Sequence, residues 1–180
     1  MWGVTVRASI HRFGAAILLA AVASPASTIA ATDSASLDVV GTIPAIVAIT
    51  VTPTGTASSL DLTPNAIVTA LKVADIAEMA NTPEGYSVTV TSANLAAGGR
   101  CPAPNQACLW NAAANSAVEL SFLRDTSPQT FTGSAATWVD TTSPQLDPLV
   151  SAAAISYFVG PTMLPHGAYT ETLTFTIASK

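Results

Sequence analysis

The sequence predicts an all-β chain: a two-layer antiparallel sandwich of about seven to nine short strands. Three observations carry that reading. In Ala168 to Ile177, AYTETLTFTI, the residues Tyr169, Leu173, Phe175 and Ile177 fall on one parity and Thr170, Thr172, Thr174 and Thr176 on the other. That is the two-residue period of a strand with one dry face and one wet face. Gly85 to Ser92, GYSVTVTS, repeats it, with Tyr86, Val88 and Val90 set against Ser87, Thr89 and Thr91. Turn residues recur at short, irregular intervals, and charged residues make up only 9% of the chain. The outer faces are therefore wetted mainly by hydroxyls, and threonine keeps a backbone extended without building a sticky surface.

The first residues are a targeting segment. Arg7, His11 and Arg12 make a basic start, Phe13 to Ala23 is apolar, and small residues follow through Ala31, the layout of a secretory signal peptide over 1–31. Cleavage after Ala23, Ala26, Ala30 or Ala31 satisfies the small-residue rule, and the later pair is favoured. The apolar run falls well short of the roughly 20 residues that span a bilayer, so the processed chain is expected to be secreted and not membrane-spanning. Residues 32–180 then form one domain large enough to bury roughly two-thirds of its unfolded surface. After Ala31 there are four basic residues (Lys72, Arg100, Arg124, Lys180) and eleven acids, a net charge of four minus eleven, or −7. Such a surface has no footing for phosphate backbones, so nucleic acid is not expected as a partner.

Taken in order, Leu37, Val39, Gly41, Ile43, Ala45, Val47, Ile49 and Val51 form an apolar series on odd positions. Pro44 lacks the donor that a central strand needs, so the run divides into strands near 36–42 and 45–52. Thr52 to Thr56 is a turn, and Ser59 to Leu62 is a short strand ended by Pro64-Asn65. Ala66 to Met79, AIVTALKVADIAEM, carries two patterns: Ile67, Leu71, Ala74 and Ala77 would stripe a helix, whereas Thr69, Leu71 and Val73 fit a strand face. Its neighbours favour a strand over 67–78, because Asn81 to Gly85 is turn chemistry suited to a hairpin into GYSVTVTS. Residues 94–116, rich in Ala, Gly, Pro and Asn, are a long loop holding Cys101 and Cys108, which an exported chain with two cysteines oxidises to each other. Closing so small a ring contributes roughly 2.5 kcal/mol by the loop-entropy account. Val118, Leu120 and Phe122 mark a strand over 117–124, short β-prone pieces follow at 129–132 and 136–140, and Ile155, Tyr157 and Val159 mark another strand. Met163 to Gly167 is the last turn.

The inventory for chemistry is thin. His166 is the one histidine after the targeting segment, set between Pro165 and Gly167, and no G-x-S-x-G motif supplies a nucleophile for it. One histidine and a paired cysteine duo do not make a catalytic zinc set, and no EF-hand pattern supplies a calcium loop. Asp75 with Glu78, or Asp140 with Asp147, would serve as a glycosidase pair only in the right geometry; on so poorly charged a surface they read as solvating groups. Gly98-Gly99 lacks the lysine and flanking elements of a phosphate loop. No enzyme activity, cofactor or metal is expected. Trp110 and Trp138 remain, either as core and rim residues or as a platform that stacks on a surface glycan.

The targeting segment, the run LDVVGTIPAIVAITV, the strand GYSVTVTS and the closing GAYTETLTFTI together resemble the secreted fimbrial-subunit and spore-coat-U-like proteins of bacteria. The resemblance covers most of the processed chain and rests on pattern. It implies an immunoglobulin-like sandwich that is incomplete, folded with a periplasmic chaperone, and self-assembled at the cell surface when the N-terminal segment of one subunit fills a groove in the next. Leu37, Val39, Gly41 and Ile43 would then be donor positions within 32–43, and Leu173, Phe175 and Ile177 the strand that lines the groove or meets the chaperone. Two features depart from the family. Both cysteines lie in one mid-chain loop, and the chain ends Ala178-Ser179-Lys180 without a penultimate aromatic. The same N-terminal residues would equally serve as a first strand within their own domain.

Overall fold

In the computed structural model, residues 38–180 are described; the signal peptide expected over 1–31, residues 32–36 and Leu37 lie outside them. Residues 38–44 form no strand and are exposed, so the strand expected near 36–42 does not form over its described part. The body from Ala45 to Lys180 is one compact unit.

Ten strands occur among the described residues: β1 (Val47–Pro53), β2 (Ile67–Ala80), β3 (Tyr86–Ser92), β4 (Cys108–Asn111), β5 (Ser116–Glu119), β6 (Ser121–Arg124), β7 (Ser127–Gln129), β8 (Ala135–Asp140), β9 (Gln145–Phe158) and β10 (Leu173–Ser179). They pair antiparallel into a five-stranded sheet in the order β1-β2-β9-β6-β7, a three-stranded sheet in the order β10-β3-β8, and the ribbon β4-β5. The chain is thus an all-β sandwich. Its core joins Ile76 and Ala80 of β2, Phe122 of β6 and Ile155 of β9 to Tyr86, Val88 and Val90 of β3 and Trp138 of β8. Alternation is strict where both faces count: along β3, Tyr86, Val88 and Val90 are fully buried while Ser87, Thr89 and Thr91, which alternate with them, are half-exposed.

The ambiguous stretch from Ala66 is the strand β2, and it carries Ala74, Ile76, Glu78 and Ala80 inward. Ala70 breaks its register against β9 and takes a left-handed φ of 48°, with its N–H donating to Ser156 Oγ. The turn after β2 is not a hairpin. It carries the chain from one sheet to the other, with Thr82 Oγ1 donating to the carbonyl of Gly85 and Gly85 at φ 83°.

Several boundaries differ from expectation for reasons of pairing. Ser59 to Leu62 forms no strand; Gly55–Ser58 is a 3-10 turn instead, and Thr54 and Thr56 hydroxyls both donate to the Lys72 carbonyl. The strand expected over 117–124 splits at Leu120, where β5 pairs with β4 and β6 pairs with β9 and β7. Leu120 is buried at the switch and its N–H donates to the Ala107 carbonyl. β9 runs for 14 residues, and Pro148 fits within it because that half pairs with β2 alone and lies at a register irregularity. The closing strand starts at Leu173, since Thr170 is drawn off to bridge Trp110. The loop from 94 holds a one-turn helix, Ala93–Ala96, and the disulfide Cys101–Cys108, with Cα atoms 5.4 Å apart.

Candidate functional site

Pairing register shows which side chains of the edge strands face inward. Val47, Ile49 and Val51 of β1 lie opposite Ala80, Glu78 and Ile76 of β2, all buried, so they point between the sheets. Yet Val47 is 39% exposed and Val51 43%. Likewise Leu173, Phe175 and Ile177 of β10 lie opposite Ser92, Val90 and Val88 of β3, again buried, and are only partly covered themselves. Both strands are sheet edges and are not hydrogen-bonded to each other. An apolar groove of 320 Å³ opens between them, walled by Val51, Pro53, Leu173 and Phe175 and floored by Phe122 and Ile155 of the core. An edge strand exposes a row of unpaired N–H and C=O groups, and here that row adjoins exposed interior side chains.

No protein-family model, curated protein or solved structure matches this chain.

Of the expected groove-lining residues, Leu173 and Phe175 wall it, and Ile177 continues the same face toward the end of β10. Of the expected donor residues, Val39 and Ile43 are 73% and 76% exposed, Gly41 is exposed, and Leu37 is outside the described residues. The two tryptophans separate. Trp138 is 2% exposed, so it is no stacking platform; a bulge opposite Val88 and Thr89 turns both Trp138 and Val139 inward. Trp110 is half-buried, tied by two backbone hydrogen bonds to Thr170.

The residues weighed for catalysis are dispersed. Asp75 faces outward and pairs with Lys72 at 2.7 Å, whereas Glu78 faces the core, so the two carboxylates lie on opposite faces of β2. His166 is exposed in its turn, and its carbonyl accepts from Asn111 Nδ2. Among the described residues, no three His, Cys, Asp or Glu side chains gather to hold a metal, and no helix is long and apolar enough to cross a membrane.

A second polar feature was missed in the sequence. Glu78, 1% exposed, receives a hydrogen bond from Arg124 Nη2 at 3.4 Å, and Arg124 Nη1 donates to the Trp138 carbonyl while its guanidinium sits 5.8 Å from the Trp138 ring centre. Burial pushes the Glu78 carboxyl above its ordinary range, against the opposing pulls of Arg124 and the Tyr86 hydroxyl. The signal was present: Glu78 shares the inward parity of Ala74, Ile76 and Ala80, a place where a lone carboxylate needs a partner.

Proposed function

We propose that this chain is an exported, non-enzymatic structural subunit that assembles by strand addition, in the manner of bacterial pilin-like and coat-like proteins. The occupant of the groove is the segment Leu37 to Ile43 of a second copy. The observation that supports this reading is the exposure of inward-facing apolar side chains along two unpaired edges, β1 and β10, with the core as the floor between them.

The segment suits the place. Leu37, Val39, Gly41 and Ile43 alternate with Asp38, Val40 and Thr42, which supplies one side for the groove and one for solvent. Leu37 to Ile43 is as long as β10, seven residues, and at about 3.3 Å per residue each covers roughly 20 Å. Backbone pairing along β10 would supply affinity and the alternate side chains would set register. Burying an aliphatic side chain such as Ile43 contributes about 1.5–3 kcal/mol. Export through the targeting segment and a periplasmic chaperone that covers the groove before assembly belong to the same reading.

Size-exclusion chromatography of the processed chain, with and without residues 32–43, tests it. Ladders or filaments that vanish on deletion are the expected result. A monomer in both forms over the whole concentration range would overturn it.

A further inference from the structure

Buried polar side chains converge between the sheets away from the groove. Among the described residues, five buried side-chain atoms have no hydrogen-bond partner: Glu78 Oε2, Tyr86 Oη, Arg124 Nε, Trp138 Nε1 and Ser151 Oγ. Register and contacts bring all five residues to one place. Glu78 on β2 and Arg124 on β6 are separated by β9, and the two side chains meet over it as an ion pair. On β9, Ser151 lies opposite Ile76 and Leu149 lies opposite Glu78, which sets the small Ser151 side chain diagonal to Glu78 and beneath the pair. The other sheet supplies the cover. Trp138 stacks against the Arg124 guanidinium, and the Tyr86 hydroxyl lies near enough to the Glu78 carboxyl to act on it as a donor, short of a well-formed hydrogen bond, and also bears on Arg124. Glu78, Tyr86, Trp138 and Ser151 are each at most 4% exposed.

The chemistry of the set is unbalanced in a definite way. Arg124 Nε and Trp138 Nε1 only donate, so they cannot satisfy one another; Glu78 Oε2 only accepts when ionised; Tyr86 and Ser151 do both. The groups are mounted on five strands of the large and small sheets, β2, β9 and β6 facing β3 and β8, and packed sheets stand about 10 Å apart. Backbone pairing fixes those mounts, and the two donor-only groups, Arg124 Nε and Trp138 Nε1, need acceptors that the set supplies only through Glu78, Tyr86 and Ser151. Water both donates and accepts two hydrogen bonds, and buried water in proteins gathers where polar groups lack other partners.

We infer that the Glu78–Arg124 pair is the centre of a buried hydration site, in which one or two enclosed water molecules join Glu78 Oε2 to the donors of Trp138 and Arg124 and to the hydroxyls of Tyr86 and Ser151. The site is a water-filled polar key between the two sheets. It holds their spacing independently of whether the groove between β1 and β10 is filled, and so does not rest on the proposed assembly.

The test is made on the purified chain in two ways. A crystal structure at a resolution that places water is expected to show at least one enclosed water within hydrogen-bond distance of two or more of the five atoms. In solution, the Trp138 indole proton is expected to show a cross-relaxation peak to long-lived water. Density in which the five atoms bond directly to one another, an ion in place of water, or an indole proton with no water peak would each overturn the inference.

Discussion

Trp138 and Phe175 meet edge to face, with ring centres 5.1 Å apart and planes at 89°. They come from β8 and β10, the two strands that flank β3, and Phe122 from the opposite sheet closes the group at 5.5 and 6.2 Å from them. Trp138 is sealed in the core while Phe175 also walls the groove. The groove is therefore not a surface scratch: its wall is one side of the aromatic core.

Replacing Phe175 with alanine tests that arrangement. Truncating a buried phenylalanine costs about 3–5 kcal/mol, and the partial exposure of Phe175 brings the expectation to about 2 kcal/mol. Urea denaturation reads the stability. On the proposed assembly, the same variant should also weaken self-association, because the deepened groove would no longer match the donor segment.

Stability should fall as pH rises out of the acid range, through Glu78. Its carboxyl holds a proton to higher pH in the folded chain than the ordinary value of 4.5, because burial outweighs Arg124 and Tyr86. A group raised in this sense contributes its stabilisation fully below the unfolded value and loses it as pH climbs through the folded one. Denaturation midpoints measured from about pH 4 to pH 8 should show that decline, and Glu78→Gln should flatten it, since a neutral amide has no proton to lose.

Gly85 sits where another side chain has no room. A Cβ there would lie 2.3 Å from the Thr141 carbonyl oxygen and 2.8 Å from the Ser143 nitrogen, both backbone atoms, at a φ of 83°. Gly85→Ala combines a backbone clash with a left-handed conformation and should cost about 3 kcal/mol. A thermal melt against the parent chain checks it.

Removing the disulfide by changing Cys101 and Cys108 to serine should cost roughly 2.5 kcal/mol while leaving the sheet content intact. The bridge closes only the loop after β3, whereas sheet pairing is made elsewhere, so circular dichroism should keep its β signature as the urea midpoint drops.

What could be read in the sequence was what local pattern determines. Tyr86 to Val90 and Leu173 to Ile177 declare their inward faces by parity, and both do face inward. The stretch from Ala66 resisted, since alanine, leucine and lysine favour a helix; pairing with both β1 and β9 outweighs that preference. Features that depend on distant partners were hidden. The bulge that turns Trp138 inward, the sheet switch at Leu120 and the length of β9 all follow from which strand lies alongside. The groove belongs to the same class, because parity marks Leu173 and Phe175 as apolar but cannot say that β10 is left with one edge unpaired.

Amide hydrogen exchange along β10 tests the central claim most directly. The alternate amides of Leu173 to Ser179 that do not bond to β3 should be slowed in the processed chain, increasingly so as its concentration rises, and should exchange freely once residues 32–43 are removed. Equal exchange in the two forms at every concentration would contradict the account.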